Sequence, residues 1–128
     1  MNAQELMTKA HRALASAEKL LADDDADGAC NRAYYAMFDA ARAALIASKA
    51  AVPPEIAKTH SGLISAFSLH LVKPNLFPVE LGRSLNKAED LRLVADYKGD
   101  SVDTEDVQWA VQQARAFVEE VTRRFVAE

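Results

Sequence analysis

Arg32-Ala33-Tyr34-Tyr35-Ala36-Met37-Phe38 is the stretch on which the fold turns. It lies inside a segment, Asp27 to Ser48, whose alanines (Ala33, Ala36, Ala40, Ala41, Ala43, Ala44 and Ala47) give high helix propensity and let neighbouring helices come close. On a helix, Cys30, Tyr34, Met37, Ala41 and Leu45 share one face. Asn31, Tyr35, Phe38 and Arg42 share another, about 100° away. Two aromatic-bearing faces predict a central helix contacted from two sides. Tyr34, Tyr35 and Phe38 read as packing residues; the sharper alternative is that Asn31 and Tyr35 line a polar cleft. Asp25 or Asp27 is placed to cap the start of this helix by accepting a backbone N–H.

Working outward, the pattern stays helical. Leu6, Ala10, Ala13, Ala17 and Leu20 alternate in steps of four and three, predicting a first helix from Ala3 to Ala22. Lys49 to Lys58 reads as a connection, since Pro53-Pro54 rules out a continuous helix there. A shorter helix is expected from Thr59 to before Pro74, with Leu63, Ile64, Phe67 and Leu71 inward. After the loop Pro74 to Pro78, a helix from Val79 to Tyr97 turns Leu81, Leu85, Ala88, Leu91 and Ala95 inward, and Gly99 is its stop signal. Asp103 or Thr104 caps a last helix carrying Val107, Val111, Ala114, Val118, Val121 and Phe125 in a heptad-like seam. Long helices with short connections predict an all-α, antiparallel four-helix bundle with one shorter additional helix, forming a single domain over residues 1–128.

Composition excludes several functions. The chain has 128 residues, half of them hydrophobic, enough for a core without staples. Its one cysteine, Cys30, allows no internal disulfide and reads as a small core residue. No His or Cys pair has metal-ligand spacing, so neither a metal nor another cofactor is expected. The four glycines are isolated and make no phosphate loop. No Gly-x-Ser-x-Gly elbow occurs, and no short basic recognition helix suggests a DNA reader. The net charge of −4 disfavours general polyanion binding but not a local basic site. No leader-like N-terminus and no apolar run of membrane length are seen, so a cytoplasmic protein with no membrane contact is expected.

The residues that suggest chemistry lie elsewhere. Glu89, Arg92 and Asp96 fall on one face of the Val79 to Tyr97 helix, at steps of three and four. The plain reading is an exposed ion pair between Arg92 and Asp96. Against it, Asp96 stands in the last turn, where the helix dipole disfavours an acid, and Tyr97 follows directly. A local rule broken at a helix end points to a tertiary partner or a functional site. Of the histidines, His11 reads as surface, and His70 as a cation suited to a helix C-terminus. His60 sits in the first turn of its helix, an environment that suits either a general base or a hydrogen-bonded cap.

Together these segments resemble a known family. Asn31-Arg32-Ala33-Tyr34-Tyr35-Ala36-Met37-Phe38 with Ala40-Ala41-Arg42 resembles the signature helix of prokaryotic HEPN domains. Lys58-Thr59-His60-Ser61-Gly62-Leu63 and Phe67 resemble the following segment, Arg92-Leu93-Val94-Ala95-Asp96-Tyr97 the family's Arg-x-x-x-Asp-Tyr form, and Ala114-x-x-Phe117 its final helix. The resemblance implies a four- or five-helix bundle, often a homodimer. It implies a partner, a minimal nucleotidyltransferase, with the two acting as toxin and antitoxin. It also implies that active members are metal-independent endoribonucleases with an Arg-x(4–6)-His motif, and that some are silenced by AMP attached to a nearby tyrosine.

Here Arg92 is present, but positions 96 to 99 are Asp, Tyr, Lys and Gly, without the motif's histidine. Arginine can bind a phosphate, yet a 2′-hydroxyl proton still needs an acceptor. The expectation is therefore a toxin-like protein acting on RNA, with Arg92 on phosphate and His60 as base. Asp96 and Tyr97 complete the candidate catalytic set, and Asn31 and Tyr35 join Arg92 in holding RNA or nucleotide. The alternative is a non-catalytic module that binds a nucleotide or docks the nucleotidyltransferase.

Overall fold

Helix caps and left-handed turns set the ends of the helices. The computed structural model describes residues 1–97 and 102–126. Helix α1 spans Ala3–Ala22 and opens on a capping box between Asn2 and Glu5. Asp24, at φ 61°, breaks it, and Asp25 starts α2 (Ala26–Ala47) by accepting from the Gly28 N–H. Asp27 does not cap; its carboxylate accepts from the Val102 N–H at 3.0 Å, fastening the chain ahead of the last helix. Lys49, at φ 60°, follows α2. One turn of helix, α3 (Pro54–Ala57), then forms inside the expected connection. Proline is suited to a first turn, where its missing N–H would have no helical partner.

Helix α4 (His60–Phe67) is capped by Thr59 and runs into a π-helical turn at Ser68–Val72. Helix α5 spans Val79–Tyr97, and α6 spans Thr104–Val121, capped by Asp103 and extended by a π-helical turn to Val126. The long helices α1, α2, α5 and α6 make the bundle, and α2 touches the other three and α4. The expected central helix is thus observed, with Tyr34, Met37 and all seven of its named alanines except Ala47 in the core. Cys30 is also buried there; burial, with Asp27, Asp96 and Asp106 nearby, pushes its thiol up to about 12, so it is no nucleophile. Phe67, Phe77 and Phe117 meet with ring centroids 4.9–5.3 Å apart, pinning the proline-bracketed loop to the core.

The inward face of α5 differs from the expected one. Leu85 and Ala88 are buried, but Leu81, Leu91 and Ala95 are only half-buried, while Ser84 and Arg92 take core positions. Phe125 likewise is half-buried at the end of the α6 seam. Gly99, expected to stop α5, lies outside the described residues.

Gly62 fixes how α4 begins. Its N–H donates to Thr59 Oγ1 at 3.0 Å, and a Cβ added there would run into that oxygen and the Ile56 carbonyl. Gly62→Ala should therefore destabilise the fold by about 1–3 kcal/mol through overpacking. Urea denaturation would read this as a lower midpoint; an unchanged midpoint would show that the turn yields freely.

Candidate functional site

Glu89, Arg92 and Asp96 of α5 lie on the side of the helix that meets α2 and the start of α4. Arg92 is only 4% exposed. Its Nη2 pairs closely with Glu89 Oε1, and its Nη1 lies 3.4 Å from Asp96 Oδ2. The guanidinium carbon sits 5.2 Å from the ring centre of Tyr34, 5.7 Å from Tyr35 and 5.9 Å from Tyr97. Burial alone would make this cation easier to deprotonate, but Glu89, Tyr35 and Asp96 together outweigh that, and the net shift is upward. The plain reading of Arg92 and Asp96 as an exposed pair is thus corrected: Arg92 is a buried cation between two carboxylates.

Asp96 has the tertiary partner that its position at the helix end called for. Asn31 donates through Nδ2 to Asp96 Oδ2 at 3.1 Å, and Arg32 Nε donates to Asn31 Oδ1 at 3.2 Å. Arg32 also stands over the Tyr35 ring, 5.3 Å from its centre. A continuous chain of contacts therefore runs from Arg32 through Asn31 and Asp96 to Arg92 and Glu89.

His60 joins that chain from the other side. Its Nδ1 lies 2.7 Å from Tyr34 Oη and 3.4 Å from Glu89 Oε2. The ring packs against Tyr34, Tyr35 and Phe38 at centroid distances of 5.5, 5.8 and 4.9 Å. Tyr34 is fully buried, and burial followed by the nearby Glu89 raises its pKa, so its hydroxyl stays protonated. Glu89 Oε2 is buried with no hydrogen bond among the described residues. With its proton on Nδ1, His60 would present a donor to both Tyr34 Oη and Glu89 Oε2. That tautomer leaves the Nε2 lone pair to accept a proton.

The cleft beside this cluster is about 490 Å³ in volume and is lined in part by His60, Ser61, Ser65, Asn86, Glu89 and Arg92. Its lining sets the His60 imidazole and the Arg92 guanidinium beside apolar Ile64 and Leu93, whereas Asn31 and Tyr35, expected to line a polar cleft, do not border it. The structure brings together Asn31, Tyr35, His60, Arg92 and Asp96. Tyr97 is 73% exposed, with its ring centre 5.9 Å from the guanidinium carbon. Two participants stand outside the candidate set drawn from the sequence: Glu89, although the sequence places it on one face with Arg92 and Asp96, and Tyr34, which reads as packing because aromatics usually do.

Among the described residues no helix is long and apolar enough to cross a membrane. The family model of the HEPN domain matches residues 3–124. A UPF0332 protein of Gloeobacter violaceus is 37% identical over 128 residues, covering 98% of this chain and 96% of its own. Two proteins of Methanocaldococcus jannaschii, each named "putative toxin", are also similar. One is 32% identical over 120 residues, covering 94% of this chain and 86% of its own. The other is 27% identical over 125 residues, covering 97% and 82%.

Proposed function

This chain belongs to the HEPN domain family, and from that premise we propose that it is a toxin-like protein acting on RNA in the cytoplasm, a metal-independent endoribonuclease built on His60 and Arg92. The observation that carries this reading is that one carboxylate, Glu89, touches both His60 Nδ1 and the Arg92 guanidinium. Glu89 thus ties the imidazole and the guanidinium to one carboxylate, and the reading requires that one phosphodiester reach from His60 Nε2 to Arg92. The names of the two Methanocaldococcus relatives support the toxin-like part.

In the proposed reaction, His60 Nε2 takes the proton of a ribose 2′-hydroxyl. The freed oxygen attacks the adjacent phosphorus, and the bond to the 5′-oxygen breaks. The 5′-oxygen leaves with a proton returned by the imidazolium. The products are a 2′,3′-cyclic phosphate and a 5′-hydroxyl, and Arg92 offsets the charge that builds on the phosphoryl oxygens. Incubating purified protein with a mixed RNA panel and identifying the product ends tests this directly. An intact panel, together with harmless expression in cells, would remove the reading.

Charge makes Asp96 the gate. Glu89 and Asp96 together outweigh Arg92, so an incoming phosphate must displace one of them. Asp96 is the more exposed partner and the one held at the longer distance. Asp96→Asn should therefore bind RNA about fivefold more tightly, roughly 1 kcal/mol. Fluorescence anisotropy at one fixed salt concentration measures this; weaker binding would place Asp96 among the groups that hold the ligand.

A second reading is favoured by the occupancy of Arg92, whose two terminal nitrogens already have carboxylate partners. It makes the cluster a non-catalytic module in which Asn31, Tyr35 and Arg92 hold a nucleotide, and the exposed Tyr97 marks the docking face of a minimal nucleotidyltransferase. Nucleotide titration and co-purification with that enzyme distinguish it from the first reading. In either reading the unit is proposed to be a homodimer.

A further inference from the structure

On its α1 side, α2 carries a charged pocket that the proposed reaction does not use. Lys9, Arg12 and Ser16 follow at steps of three and four along α1, and Arg32 and Asp39 stand two turns apart on α2. These residues enclose a cavity of about 230 Å³. Among the described residues, Lys9, Arg12 and Arg32 form no ion pair with any carboxylate. Asp39 is 7% exposed, and its nearest cation is Arg42 Nη1, at 3.9 Å. Burial raises its pKa, and Lys9, Arg42 and Arg32 only partly offset that. Four cations thus surround one buried acid on a chain whose net charge is −4.

Such a pocket suits a ligand of mixed character. The rim attracts an anion, whereas Asp39 repels a bare one and has no hydrogen-bond donor among the described residues. A group carrying a phosphate beside a hydroxyl satisfies both. In RNA the 2′-hydroxyl supplies that donor and DNA has none. Arg32 further connects this pocket to the cleft, because it donates to Asn31, which holds Asp96 beside Arg92.

We propose that Lys9, Arg12, Arg32 and Asp39 form a second subsite that binds a ribose-phosphate unit of the RNA strand, with phosphate on the cations and the 2′-hydroxyl donating to Asp39. This rests on the reading that the protein acts on RNA. It makes the α1–α2 groove a track for the strand and gives the protein a means of preferring RNA over DNA away from the reacting bond.

The test uses fluorescence anisotropy with an RNA oligonucleotide and the DNA oligonucleotide of the same sequence, in the His60→Gln background so that the RNA persists. The double variant Lys9→Ala/Arg12→Ala, altered only at exposed positions, should lose roughly tenfold in RNA affinity at low salt. Its salt slope should fall by roughly 1.4, for two phosphate contacts at ~0.7 each on a single strand. Asp39→Ala should reduce the preference for RNA over DNA, and circular dichroism checks that it is folded. Undiminished RNA affinity in the double variant overturns the subsite while leaving the RNA reading in place. An unchanged RNA-to-DNA ratio in folded Asp39→Ala overturns the role of that acid. Failure of the parent protein to bind any RNA overturns both the subsite and the reading it rests on.

Discussion

Arg92→Ala is expected to abolish RNA cleavage and to destabilise the fold by about 3–5 kcal/mol, the usual consequence of removing one partner from a buried ion pair. Arg92 is almost fully buried, pairs with Glu89 and Asp96, and lies near three tyrosine rings. Without it the Glu89 carboxylate stays in a site with little access to water. The two losses can be separated. The double variant Glu89→Gln/Arg92→Met removes both charges and fills the space, so it should recover most of the stability. It should recover none of the cleavage, since no cation is left to meet the phosphate. Urea denaturation and a cleavage assay on the single and double variants measure both effects. Full cleavage by the folded double variant would show that Arg92 only holds the bundle together.

His60→Gln should have the opposite profile. The side chain of His60 is 40% exposed and contributes no large buried area, so the urea midpoint should move little. Cleavage should fall by about 10²–10⁴-fold, the contribution typical of a positioned general base. Glutamine keeps a polar group beside Tyr34 and Glu89 but cannot accept a proton at neutral pH. Cleavage by His60→Gln at the parent rate would place the base elsewhere in the molecule.

The helical framework was legible because its signals are local. Asn2, Thr59 and Asp103 act as caps, and Pro53-Pro54 and Pro74 bracket the shorter helix within a few residues of its ends. The inward face of α5 was misjudged because a periodic pattern counts Arg92 as polar, although two carboxylates allow it to be buried. The His60–Tyr34 contact joins residues 26 apart in sequence, and the Asn31–Asp96 contact residues 65 apart. No periodicity encodes such pairings; the order of the motifs along the chain suggested that they belong to one site. Phe77, inside a proline-bracketed loop, gave no sign of being core. Asp39 carries no local signal of burial, since an acid among the alanines of a helix ordinarily faces water.

The short α4 has a consequence for hydrogen exchange. Arg92 and Tyr34 belong to long helices of the bundle, whose amides should open only when the whole domain unfolds. His60 instead begins an eight-residue helix, preceded by exposed Pro53, Glu55, Ile56, Lys58 and Thr59. Segments with few buried contacts open locally at much lower free energy. The first turn of α4 should therefore exchange its amides faster than α2 and α5, even though Leu63 and Phe67 anchor the rest of that helix in the core, so the His60 side of the cleft is expected to loosen while the Arg92 side stays assembled.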